Sequence, residues 1–373
     1  MRDRLKSMVP AGALLCGALV AATAWACSVP VFRYALERWP GEPYTVYVFH
    51  RGPLGDAATK AVDRFREETA ANTYGGLALL GVVDVAGEVP ERVAKVWEKH
   101  SSAALPHVVV RFPEFYGIPI DVWSGPLTDA TVTQVLDSPV RRKVAHRVLG
   151  GDSAVFVLLE SGDAKQDDAA ERLLGAELKA MQEAIEVPAP PGGMWDDPIY
   201  DADGPPQLAV KFSVLRMKRD DPAEVVLLNM LLGTEPDLHE LTEPMVFPIF
   251  GRGRALCALV GKGINKENLE EICVFLVGPC SCIVKYQNPG VDLFFTVDWD
   301  AALMGEESAI PDITPPALAG FSDFVPKQVS GDADGDGEAP SMLWHVGLAV
   351  VGGLVIVAAV GILMWRKAQS AER

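Results

Sequence analysis

One order of elements, written twice, constrains this chain more than any other feature. Residues 44–49 (YTVYVF) read as a strand, 55–69 as an amphipathic helix, 77–85 as a second strand and 90–100 as a second helix. Then come HVVVRF, a turn near Tyr116-Gly117, a strand over IPIDVW, and a helix capped by Thr128 with Val132, Val135 and Leu136 on one face. From Ser153 the order starts again: a strand at 154–160, a helix at 167–185, a strand at 208–217 and a helix at 222–232. MVFPIF, a Gly251-Arg252-Gly253 turn, ALCALV and a helix capped by Asn265 complete it. Strands alternating with helices predict an α/β fold, and the repeat predicts two domains, residues 42–150 and 151–300.

This βαβαββα order, with Pro106 just ahead of the third strand, resembles the thioredoxin fold over about a hundred residues of the first copy, and the second copy repeats the order. In that family the first strand runs into W-C-G-P-C at the start of a helix. Here the same place holds His50, Arg51, Gly52, Pro53 and Leu54, so Arg51 and Leu54 stand where the redox cysteines would be. Pro106 matches the family's cis-proline position, and Pro244 is its equivalent in the repeat. The redox chemistry needs a thiolate and a resolving thiol, and neither copy has them, since the second reads Glu160-Ser161-Gly162-Asp163. The resemblance therefore implies two degenerate thioredoxin-like domains. A cation such as Arg51 at the start of a helix faces the positive end of the dipole, which predicts an anion or carboxylate to meet it.

The two ends read as membrane signals. Arg2, Arg4 and Lys6, an apolar stretch from Met8 to Thr23, and Ala24-Trp25-Ala26 form a signal peptide over residues 1–26. Cleavage there would leave Cys27 first, a candidate for lipidation. Residues 343–365 (LWHVGLAVVGGLVIVAAVGILMW) are uncharged, are bracketed by Trp344 and Trp365, and suffice for a hydrocarbon core of about 30 Å. Arg366 and Lys367 follow, so the tail, 366–373, is expected in the cytoplasm and the bulk outside it, in a periplasm-like space on the inner membrane. A Pro-rich acidic tether, 301–341, links the two. Its GDADGDGEAP run imitates the start of a calcium-binding EF-hand loop but lacks the glutamate at position twelve. The net charge of −17 argues against nucleic acid and anionic headgroups as partners.

Six cysteines remain to be assigned. Cys16 leaves with the signal. Cys257 aligns with Ile120 in a strand and Cys273 with Leu136 on a helix face, so both read as core residues. Cys280 and Cys282, behind Gly278-Pro279 in an appendage after the last helix, leave three readings open. They are a structural bridge, a reactive thiol pair, or a Cu(I) clip on two thiolates. The loop at 187–206, with Trp195 and Tyr200 among aspartates, reads as solvated. The six histidines are scattered without metal-protease spacing, and the glycines of FGRGRALCALVGKG read as turn residues rather than an anion cradle. Without its motif the thioredoxin-like frame implies a non-enzymatic adaptor for other envelope or membrane proteins, with no catalytic residue, cofactor or metal. The alternative is an envelope thiol-disulfide exchange or copper-handling protein that uses Cys280 and Cys282.

Overall fold

The computed structural model describes residues 30–70, 78–185, 209–278 and 285–304. It is an α/β structure built on two mixed sheets. The signal peptide, Cys27, the 187–206 loop, Cys280, Cys282, most of the tether and the 343–365 stretch lie outside the described residues. Among the described residues no helix is long and apolar enough to cross a membrane.

The first sheet has the order β2-β1-β3-β4. Its strands are β1 (Tyr44–His50), β2 (Ala78–Asp84), β3 (His107–Arg111) and β4 (Asp121–Pro126). β1 runs parallel to β2 and antiparallel to β3. A parallel neighbour needs a crossover, supplied by α2 (Asp56–Ala70); α3 (Glu91–Glu98) leads on to β3. The second sheet repeats this connectivity: β5 (Ala154–Leu159) is parallel to β6 (Phe212–Met217) and antiparallel to β7 (Met245–Phe250). Between these strands lie α6 (Ala164–Ala184) and α7 (Val225–Leu232). Both predicted caps are present. The Thr128 hydroxyl accepts from Thr131 N at the head of α4 (Asp129–Leu136), and the Asn265 side chain accepts from Asn268 N at the head of α8 (Lys266–Val277).

Prolines explain where strands depart from the periodicity. ALCALV is not one strand but two short pieces, β8 (Arg254–Ala255) and β9 (Leu259–Val260), both paired with β7. Pro248 on β7 accepts Leu256 N at 2.9 Å, so the N–H it lacks would also have pointed to that side, and the ladder breaks there. β4 starts at Asp121 instead of residue 118, because Gly117 turns the chain with φ +63° and Pro119 cannot donate. The Leu105–Pro106 peptide is cis and is the only such bond among the described residues, so Pro244 lacks that feature.

Two helices escaped the repeat pattern. α5 (Pro139–Leu149), capped by Ser138, fills the stretch assigned to the end of the first domain. α1 (Val31–Arg38) precedes the first strand, yet it packs Val31, Phe32 and Ala35 with Phe156 and Phe250 against the second sheet. The cores are not divided at residue 150 either. Val46, Val48, Val108 and Val110 of the first sheet share one cluster with Val155, Val157, Phe247 and Ile249 of the second, with α4, α5 and α7 between them. α6, α8 and α1 cover the far face of the second sheet, whereas among the described residues α3 alone packs on the far face of the first, over Tyr47, Phe49 and Val109.

The chain after α8 is part of this core and no appendage. β10 (Val291–Asp292) pairs with β8, Phe294, Phe295 and Trp299 are buried, and α9 (Trp299–Met304) occupies the start of the expected tether. Asp292 anchors the strap. Its carboxylate meets Arg254 Nη1 at 2.8 Å and the Lys285 ammonium, and accepts Glu42 N at 3.0 Å, while its carbonyl accepts the Tyr44 hydroxyl at 2.9 Å. Removing one partner from a buried ionic cluster strands the others. Asp292→Ala is therefore expected to lower unfolding free energy by about 3–5 kcal/mol. Thr128→Ala and Asn265→Ala should cost about 1 kcal/mol each. Urea denaturation of the full chain in detergent measures all three.

Candidate functional site

The register fixes what stands at the end of the first sheet. His50 pairs with Asp84, and the Phe49–His107 pair leaves Pro106 beside the exit of β1. The structure thus brings Arg51, Gly52, Pro53 and Leu54 together with Asp84 and Pro106. Gly52 takes φ +68°, open to glycine and strained for other residues, and its N–H reaches the Asp84 carboxylate at 3.2 Å. His50 Nδ1 lies 2.8 Å from the Gly52 carbonyl. The Ala86 N–H, bonded at 2.9 Å, holds the Asp84 carboxyl below the usual range, with help from Gly52, His50 and Arg51. The helix starts at Asp56, so exposed Arg51 stands off its first turn. Arg51 contributes only a distant charge effect to Asp84, and the two side chains form no ion pair.

The second copy closes its corresponding loop the same way. Ser161 N and Gly162 N donate to the buried Asp167 carboxylate at 2.7 and 3.2 Å, and Asp163 caps α6 through Lys165 N and Gln166 N. Pro244 stands opposite Glu160, whose carboxylate is held by Arg216 at 2.5 Å. Both loops are saturated by carboxylates that accept backbone N–H groups, and neither carries a thiol.

The other sequence candidates resolve into internal roles. Arg252 donates to the Leu36 and Glu37 carbonyls at the end of α1 and pairs with Asp300, so the Gly-Arg-Gly turn holds no free anion cradle. Cys273 is buried on α8, as expected. Cys257 sits in the break between β8 and β9 and is half-buried, not a strand core residue. Burial raises these thiols to about 12 and about 11 respectively. Cys280 and Cys282 lie in the undescribed 279–284 stretch, bounded by Gly278, whose carbonyl accepts Val31 N at 3.1 Å, and by buried Lys285. Among the described residues no group of three or more His, Cys, Asp or Glu is arranged to hold a metal ion.

A cleft of about 410 Å³ opens where α3 stops covering the outer face of the first sheet. Thr45, Tyr47 and Arg111 form its floor, Arg92, Lys95 and Lys99 one wall, and the β3–β4 loop the other. Arg111 pairs with Asp121, which also lies 2.9 Å from His100 Nε2. Arg92 pairs with Glu114, and Lys95 with Glu91 at 2.7 Å. His107, buried beside His100 with ring centroids 5.5 Å apart, is held below the ordinary histidine value by burial and by that neighbour. Sequence reasoning passed over this cleft. Its local signal is cations at 92, 95 and 99 along one side of a helix, flanking the apolar face formed by Val93 and Val96.

The thiols give a direct check. The folded values of Cys257 and Cys273 exceed the ordinary value near 9, so both stay protonated and slow to alkylate at pH 8 until the chain unfolds. The stability they contribute is complete below pH about 9 and is lost as pH rises through about 11 and about 12. Iodoacetamide labelling with peptide mapping, native against urea-unfolded, reads the first effect. Denaturation midpoints across alkaline pH read the second. The sequence matches no family model and no curated protein.

Proposed function

We propose that this chain is a non-enzymatic binding and adaptor module, built on two degenerate thioredoxin-like halves and anchored in the cell membrane by residues 343–365. Its bulk then lies on the extracytoplasmic side, and its partners are other envelope or membrane proteins. The connectivity of both halves supports the thioredoxin-like reading, with a central strand parallel to the second and antiparallel to the third. The observation that carries the functional reading is the chemistry of the two loops that precede the long helices. A thioredoxin-like enzyme would present a reactive thiolate there. Here Asp84 and Asp167 occupy the backbone donors, and the side chains on offer are Arg51 and Leu54, or Ser161 and Asp163. Such loops can position a partner but cannot exchange electrons with it.

Two measurements on the full chain decide it. In detergent, the protein is expected to show no disulfide reduction or oxidation of a model protein substrate above background. In native membranes, zero-length crosslinking should join it to a defined protein in fixed stoichiometry. Turnover that disappears in Cys280→Ser or Cys282→Ser would replace the adaptor with the thiol-disulfide reading.

A further inference from the structure

The cleft on the first sheet has the chemistry to choose the partner. We propose that it docks a short, extended, acidic segment of a partner polypeptide, with carboxylates along the α3 wall and apolar side chains on the sheet floor. This deepens the adaptor reading and rests on it.

Three observations select this occupant. Arg92, Lys95 and Lys99 follow one side of α3 and its cap residue, so about 10 Å separates the first from the last at 1.5 Å per residue. An extended chain advances about 7 Å between side chains on one face, so two carboxylates at alternate positions fall within the length of this row. The cations form a line and do not converge on a point, which suits a chain better than a single phosphate. The charge that faces the ligand is also available. Lys95 and Arg92 are 68% and 67% exposed, and their partners Glu91 and Glu114 are 84% and 68% exposed, so these pairs are weak and can be exchanged. Lys99 has no ion pair with another described residue. Arg111 and Asp121 are 21% and 16% exposed and form the fixed part of the floor, with His100 behind Asp121. Finally, the floor continues into apolar surface. Leu79 is in register with Thr45 on the same face and is 58% exposed, and Ile118 lines the opposite wall.

The net charge of −17 separates a short segment from a long polyanion. A nucleic acid extends its charge well beyond the cleft into the repulsive field of the whole molecule. A short acidic segment keeps its charge within the Debye length of the cationic row, about 8 Å at physiological salt.

The probe is a fluorescein-labelled peptide of about ten residues with glutamate and valine alternating, compared with its glutamine counterpart by anisotropy on the full chain in neutral detergent. The acidic peptide should bind and the glutamine peptide should not, and binding should fall as salt rises. The double variant K95E/K99E should weaken it by about tenfold or more, through like-charge contact. Lys99→Gln, which breaks no ion pair among the described residues, should weaken it less, while Lys262→Glu, an exposed residue outside the cleft lining, should leave it unchanged. Equal binding of the two peptides, or an unchanged affinity in a K95E/K99E protein with native circular dichroism, overturns the proposal. If the peptide fails to bind but K95E/K99E still crosslinks to the same membrane partner, the cleft assignment falls and the adaptor reading stands. Thiol turnover in the oxidoreductase assay brings down the adaptor reading itself.

Discussion

Two carboxylates and two cations, largely withdrawn from water, hold together segments that are far apart in the chain. Asp292 and Glu42 face Arg254 and Lys285, and the Tyr44 and Tyr116 hydroxyls complete the shell. Ions of this kind are costly to desolvate, and their attraction compensates only when every donor and acceptor is matched. Matching is dense here. The Arg254 guanidinium also donates to the Asn288 and Pro289 carbonyls and to the Tyr116 hydroxyl. The cluster therefore fixes the start of β1, the β3–β4 loop, the β7–β8 hairpin and the returning strap in one relation.

A second buried cation does similar work without a carboxylate in contact. Arg141 donates to the Gln134 and Val135 carbonyls at the end of α4 and to the Phe294 carbonyl in the strap. Burial lowers its pKa to about 10, which leaves it charged at neutral pH. It sits against the negative end of a helix and ties α5 to the strap, so the shared core is closed by ionic groups at its edges and by apolar packing within. This accounts for the absence of a core boundary near residue 150. The first-half strands and the second-half strands bury their inner faces against the same helices.

Much of this was legible locally. Period-two and period-3.6 patterns located the central strands and the helices that follow them, because those elements bury a face whatever their neighbours are. Thr128 and Asn265 were readable as caps because the chemistry is contained within four residues. The departures arose where a residue's role depended on a distant partner. Pro248 breaks a ladder only because its carbonyl side faces β8. Cys257 fell into that break instead of a regular strand. Arg51, read as a cation at a helix start, stands off that helix because the helix begins only at Asp56.

The amino-acid sequence by itself determined the α/β alternation, its duplication, the absence of thiols ahead of both long helices and the strong negative charge, since each is a property of composition or short-range periodicity. Only the tertiary structure decided that α1 belongs to the second sheet, that the strap returns to the shared core, and that Arg92, Lys95, Lys99 and Arg111 line one cleft. The reason is physical. Burial of a helix face or satisfaction of a charge can be met by any compatible surface, and which surface supplies it follows from packing across the whole chain.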